Sequence, residues 1–336
     1  MRKGIMSAGN WIVDYVKTIV DYPKIGNLTT ISSETTETLG GCSHNVLADL
    51  AKMKTGIPLY AGGIIRDDAA GEFIINALKS YGVDSSNMIM TDKAATSYTD
   101  VMQEAETGRR TFFHYRGTNA LLDVEHFVKM DTDARIFHLG YLLLLDRMDA
   151  PDSEYGTVAA RVLDMLTKKG YKTSVDMVSI DDPKVPSIVM PCLPYIDYFI
   201  VNEVETAQCT RVEVRNPETN QLDKEKLKEA ARMLINGGVR EVVVIHYPEG
   251  SFALRKSGES LELPSYPIDK KEIVGNLGAG DAFCSGCLYG LHEGWSLYDV
   301  LSFASANAWF NLHHATATEG QPSIDKIQQF LSTNKL

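Results

Sequence analysis

Short apolar runs of strand length alternate along this chain with segments whose apolar positions recur every three or four residues. "PLYAGGII" (58–65) precedes a helical period over 69–81, "ARIFHLG" (134–140) one over 155–169, and "YKTSVD" (171–176) resumes the strand pattern. "DYFIVN" (197–202) leads into a short helix. The clearest helical segment is "DKEKLKEAARMLIN" (223–236), in which Leu227, Ala230, Ala231 and Leu234 stand at i, i+3, i+4 and i+7 before Gly237 and Gly238 end it. "EVVVIH" (241–246) then reads as a buried strand. Strands alternating with helices predict βαβ units, hence an α/β fold with a mainly parallel sheet covered on both faces.

Two stretches break the rhythm. Residues 11–40 and 96–116 are rich in Thr, Tyr and Val with turn residues between, which predicts antiparallel strands and hairpins. Neither is long enough to stand as an independent domain. The expected organisation is an α/β core over 1–10, 41–95 and 117–336, with a small inserted β-sheet lid over 11–40 and 96–116.

Composition narrows the function. Lys plus Arg number 33 against 44 Asp plus Glu, a net charge of -11 without a basic cluster, which disfavours nucleic acid and anionic membrane surfaces as partners. No segment approaches membrane-spanning length and the N-terminus lacks a signal-peptide core, so a cytoplasmic protein is expected. The five scattered cysteines fit reduced thiols. Cys284 and Cys287 have zinc-like spacing but no second Cys or His pair, which predicts core packing, and the adjacent His313 and His314 point to different helix faces.

The sharpest chemical signal is "VGNLGAGDAFCSG" (274–286), where glycines precede an acid and a new apolar period begins at Ala282. Unpaired N–H groups at a helix start attract anions, and glycine lets an anion approach them. A carboxylate beside an anion hole repels its ligand unless it has chemistry to do. Asp281 is therefore the candidate base for a hydroxyl proton, with Gly278, Ala279 and Gly280 holding phosphoryl charge.

With "GAGDAFCSG" the chain resembles the pfkB, or ribokinase-like, family of carbohydrate and nucleoside kinases. The resemblance continues in Asp14, "GG" at 40–41 followed by Asn45, "DDAAG" at 67–71, "LKSYGVD" at 78–84, "NEVE" at 202–205, Asn307 and Pro322. It implies a ribokinase-like three-layer core and ATP- and Mg²⁺-dependent phosphorylation of a sugar-like hydroxyl. It assigns sugar hydroxyls to Asp14, Gly41 and Asn45, with Arg116 and Asn119 as further substrate contacts. Asn202 and Glu205 fall to the metal and phosphates, with Glu205 the metal ligand, His246 and Gly250 to the nucleotide phosphates, and Asn307 to the neighbourhood of adenine. Without the resemblance, Asn202 and Glu205 read as a helix cap with an acidic first turn.

The chain also departs from the family pattern. Gly275-Asn276 stands where relatives carry Asp-Thr, so a K⁺ contact there loses its usual residues; Asp176 alone survives of Asp-x-Asn-x-Arg; and Arg66 replaces a glycine. A nucleoside kinase and a non-catalytic sugar or nucleotide sensor are the alternatives to a sugar kinase. Exposed lid edges suggest a homodimer.

Overall fold

A computed structural model describes residues 2–336. The chain opens with β1 (Ile5–Gly9), passes into β2 (Ile12–Ile19) and β3 (Thr36–Gly40), and enters α1 (Cys42–Lys52). β4 (Leu59–Ile65), α2 (Ala69–Ser80) and β5 (Asp84–Met90) follow, then β6 (Tyr98–Glu104) and β7 (Arg110–Tyr115). The middle of the chain holds α3 (Val124–Lys129), β8 (Ile136–Leu142), a ribbon of β9 (Pro151–Asp152) and β10 (Gly156–Thr157), α4 (Val158–Lys168), β11 (Lys172–Met177) and α5 (Val185–Val189). Next come β12 (Tyr198–Asn202), α6 (Glu203–Thr210), α7 (Lys224–Asn236), β13 (Val242–Tyr247), β14 (Gly250–Arg255) and β15 (Ser260–Pro264). α8 (Ala279–Glu293), α9 (Leu297–Asn311) and α10 (Ile324–Thr333) complete the chain.

The large sheet runs β15-β14-β13-β12-β11-β8-β1-β4-β5 and is parallel except for the β13–β14–β15 edge. Its side chains divide by the period of two. Met6 and Ala8, Phe137 and Leu139, Phe199 and Val201, and Val243 and Ile245 join one core with residues of α4 and α7. The intervening Ile5, Ile136, Tyr198, Ile200, Val242 and Val244 join the other, against α1, α8 and α9. Three layers result, as expected for this α/β pattern. Helix boundaries follow capping rather than periodicity: the helix anticipated from residue 155 starts at Val158 because the Thr157 hydroxyl accepts from the Ala160 N–H at 3.2 Å.

β1 sits inside the sheet, with β4 and β5 on one side and β8 onward on the other. The order reverses there, opening a crevice at the carboxyl ends of β1 and β8, the place where open α/β sheets bind ligands.

Above this edge lies a four-stranded sheet, β3-β2-β6-β7. The sequence predicts antiparallel strands here, and β2–β3 and β6–β7 are antiparallel; the central pair β2–β6 is parallel, from Val13 opposite Tyr98 to Ile19 opposite Glu104. Connectivity explains the difference. β2 leaves the carboxyl end of β1 and β6 follows β5, so both rise from the same edge of the core in the same direction. Trp11 pins the first of these exits: fully buried, it donates its indole N–H to the Gly62 carbonyl at 2.8 Å, while Asn119 bonds its backbone N–H and carbonyl at 3.3 and 3.1 Å.

Trp11→Ala is expected to lower unfolding free energy by about 3–5 kcal/mol, the usual cost of deleting a buried aromatic. Chemical denaturation measures it; a loss below about 1 kcal/mol would show that the lid junction does not depend on this anchor.

Candidate active site

The glycine cluster forms the start of α8. Gly278 is its N-cap at φ +75, and a Cβ there would strike the Ala317 backbone. Gly280 lies against His246, whose Cε1 would be 3.3 Å from an added Cβ. The left-handed turn at Gly278 requires glycine, and at Gly280 an added Cβ would press tightly on the His246 ring behind it. Of the three N–H groups expected to face an anion, that of Ala279 donates to the Asn276 carbonyl at 3.3 Å, closing the turn. Those of Gly278 and Gly280 have no partner among the described residues.

Asp281, in the first turn of α8, is 7% exposed. Its Oδ2 accepts from Asn45 Nδ2 at 2.8 Å, joining α8 to the first turn of α1 across 236 positions of sequence. Burial lifts the carboxyl to about 6, with the Asn45 hydrogen bond and the nearby Cys42 and Tyr141 side chains acting against it in favour of the ion. The group is thus an anion at neutral pH, yet basic enough to take a proton. Gly41 begins α1 at φ +86, where a Cβ would lie 2.6 Å from the Asn10 carbonyl oxygen. That close approach aims α1 at the switch crevice.

Leu277 borders one recess, and Ala279 and Gly280 border another. One, of 620 Å³ beneath the lid, is lined by Asp14, Thr38, Lys52, Gln103 and Arg110 among others, and reaches Leu277. Asp14 is raised to about 6, first by burial, with a Thr99 hydrogen bond and the Arg110 charge acting against it. The other, of 740 Å³, runs past Ala279 and Gly280 and is walled by Ile273, Phe283 and Trp309, with Asn202, His246 and Gly250 at its polar side. His246 packs on Phe283 at 4.9 Å between ring centres, and burial lowers it to about 4, so it is neutral here.

At the carboxyl end of β12, Asn202 caps α6. Its Oδ1 accepts from the Glu205 N–H at 2.8 Å, and Glu205 Oε2 accepts from the Asn202 N–H at 2.9 Å. The capping box that local sequence allows is formed, and Glu205 Oε1 also accepts from Ser179 Oγ at 2.7 Å. Burial still lifts Glu205 to about 7. Asp176 is pushed up by burial, then by Glu205 and Asp281. Neither Asp176 nor Glu205 has a Lys or Arg ion-pair partner among the described residues. This acidic, oxygen-rich basin fits a divalent cation such as Mg²⁺, held chiefly through water because both Glu205 oxygens are already engaged.

Three candidates are engaged by other groups and, like Gly41, Asn45, Glu205, Gly278 and Asp281, line neither recess. Arg116 donates to Asp146 Oδ1 at 2.6 Å and lines neither recess. Asn119 is spent on Trp11. Asn307 is fully buried behind the groove, donating to the Phe303 carbonyl at 2.8 Å and accepting from Gln321 at 2.5 Å. Sequence reasoning passed over Lys52, Arg110 and Trp309, which carry no motif; only the placement of Trp309 two residues after Asn307, on the same helix, was a clue.

The family model described as pfkB family carbohydrate kinase matches residues 5–324. A relative named 5-dehydro-2-deoxygluconokinase, from Clostridium perfringens, is 22% identical over 313 residues, covering 88% of this chain and 85% of its own. The Arabidopsis thaliana ribokinase solved with ribose and ATP superposes with a TM-score of 0.79 at 22% identity, covering 98% of this chain and 99% of its own. A provisionally assigned ribokinase II from E. coli, solved with ATP and Mg²⁺, gives 0.72 at 17% identity, with 98% and 99% covered. These two structures share the fold.

Because the Asn45 amide favours the ionised carboxylate, Asn45→Ala is expected to raise the Asp281 pKa above about 6. Carboxyl-carbon NMR titration reads this directly; an unchanged or lower value would mean that the contact does not set the charge of Asp281.

Proposed function

The chain belongs to the pfkB family of carbohydrate kinases, and on that premise we propose that it transfers the γ-phosphoryl group of ATP to a hydroxyl, in particular a hydroxymethyl, of a sugar or sugar acid. The observation that carries this reading is the buried Asn45–Asp281 hydrogen bond, beside a turn that borders both recesses.

The groove walled by Trp309 and Ile273 would take the nucleotide, its phosphates running toward the free N–H groups of Gly278 and Gly280. Asn202 and Glu205 would hold Mg²⁺ through water, and the bound ion supplies charge neutralisation to the phosphate oxygens. Asp281 would accept the acceptor hydroxyl's proton as oxygen attacks, while the amides favour the charge that develops on the transferring group. Asp14, Gly41 and Asn45 would orient the sugar hydroxyls. Lid closure over the 620 Å³ recess would exclude water as a competing acceptor. Lys52 and Arg110 in that recess supply cations suited to an acidic sugar, in keeping with the name of the Clostridium perfringens relative.

Residues Phe112, Phe113 and Tyr115 of β7 are exposed along a lid edge, which supports pairing of two lids in a homodimer. An ATP-consuming enzyme of this type belongs in the cytoplasm, and Gly275-Asn276 argues for weak or absent dependence on K⁺.

Asp281→Asn is expected to lower kcat about 10²- to 10⁴-fold while nucleotide affinity stays near wild type. ADP release is the assay, run with 5-dehydro-2-deoxygluconate, hexoses, pentoses and nucleosides, with and without K⁺. Turnover confined to nucleosides would replace the sugar as acceptor, and ligand binding without ADP formation would make the protein a sensor.

A further inference from the structure

Cys42, the first residue of α1, lies beside β8 and β11 rather than within a wholly apolar core. Its Sγ is 3.1 Å from His138 Nε2 and donates to Asp176 Oδ2 at 3.3 Å. One ligand atom from each of the three residues falls within 4.8 Å of the others. The far side of the imidazole is supported too, since His138 Nδ1 lies 3.1 Å from Ser174 Oγ. A proton on Nδ1 bonded to that hydroxyl leaves the Nε2 lone pair facing the thiol and the carboxylate, the support that metal-bound histidines commonly have. Burial lowers His138 to about 3, so the ring is a neutral donor.

We propose that Cys42, His138 and Asp176 form a site for a Zn²⁺-class ion, with water completing its coordination, and that the charge bound beside Asp281 makes that carboxylate a poorer proton acceptor. A thiolate and an imidazole select a softer ion than the Mg²⁺ suited to the oxygen donors of Glu205 and Asn202. In tetrahedral zinc geometry, sulfur and nitrogen ligands stand about 3.5 Å apart, so the Cys42–His138 pair needs to spread by only a few tenths of an ångström. Binding releases the Cys42 thiol proton to solvent, and the thiolate and Asp176 carboxylate balance the ion's two charges. Cys42 and His138 are fully buried, whereas Asp176 is partly exposed and offers the way in. Asp281 is near enough for its charge to act on both Cys42 and Asp176. The inhibition rests on the kinase reading; the binding does not.

The test is Co²⁺ titration of chelator-stripped protein. A thiolate-to-cobalt absorption band should saturate at one ion per chain, be displaced by Zn²⁺ but not by Mg²⁺, and vanish in Cys42→Ser. Ser174→Ala, which leaves all ligands in place, should weaken binding about 10- to 100-fold and guards against misfolding of the cysteine variant. Zn²⁺ should inhibit turnover reversibly with chelator, and less so in Cys42→Ser, each protein compared with its own metal-free rate. Absence of the band, or its survival in Cys42→Ser, would overturn the site. Tight binding without inhibition would overturn the switch.

Discussion

A carboxylate held almost out of water is the constraint on which this structure turns. In the proposed role of proton acceptor Asp281 must remain ionised, yet burial favours its neutral form. The Asn45 hydrogen bond, with Cys42 and Tyr141 close by, offsets part of that penalty, and these residues come from α1 and the end of β8, elements brought to α8 only by the complete sheet. The fold thus sets the charge of one atom group. Loss of the Asn45 hydrogen bond with burial unchanged would shift the carboxylate toward its neutral form.

Backbone geometry does the rest of the positioning. Gly41 and Gly278 both occupy positive φ at helix starts, one pressed on the Asn10 carbonyl and the other on Ala317. These contacts bring two helix N-termini to the crevice where the strand order reverses. The recess beneath the lid and the groove along β12 and β13 then border the same turn, 277–280. An acceptor alcohol in one and a phosphate chain in the other would meet beside a base and two free N–H groups. The same closeness makes the base vulnerable, because a cation bound at Cys42, His138 and Asp176 would sit next to it.

The layered architecture was legible because burial acts on neighbours in sequence: alternation along "ARIFHLG" and "DYFIVN" sends successive residues to opposite cores. The glycine–acid junction was legible for a similar reason, since a helix start and its unpaired N–H groups are local. What depends on three-dimensional neighbours was not. The parallel pairing of β2 with β6 follows from where both strands leave the core, which no short pattern encodes. Arg116, Asn119 and Asn307 have polar side chains that suit a ligand equally well, and here they satisfy Asp146, Trp11 and Gln321. Cys42 and His138 are 96 positions apart and come together only when α1 packs on β8.

The central claim is that Asp281 takes the proton, and the pH dependence of kcat/KM tests it most directly. In this account ionised Asp281 is the active form, so activity should fall as pH drops through about 6, and the Asp281→Asn profile should lose one ionisation from that limb while those of Asp14 and Glu205 remain. An identical acid limb in Asp281→Asn would assign the proton to another group and contradict the account.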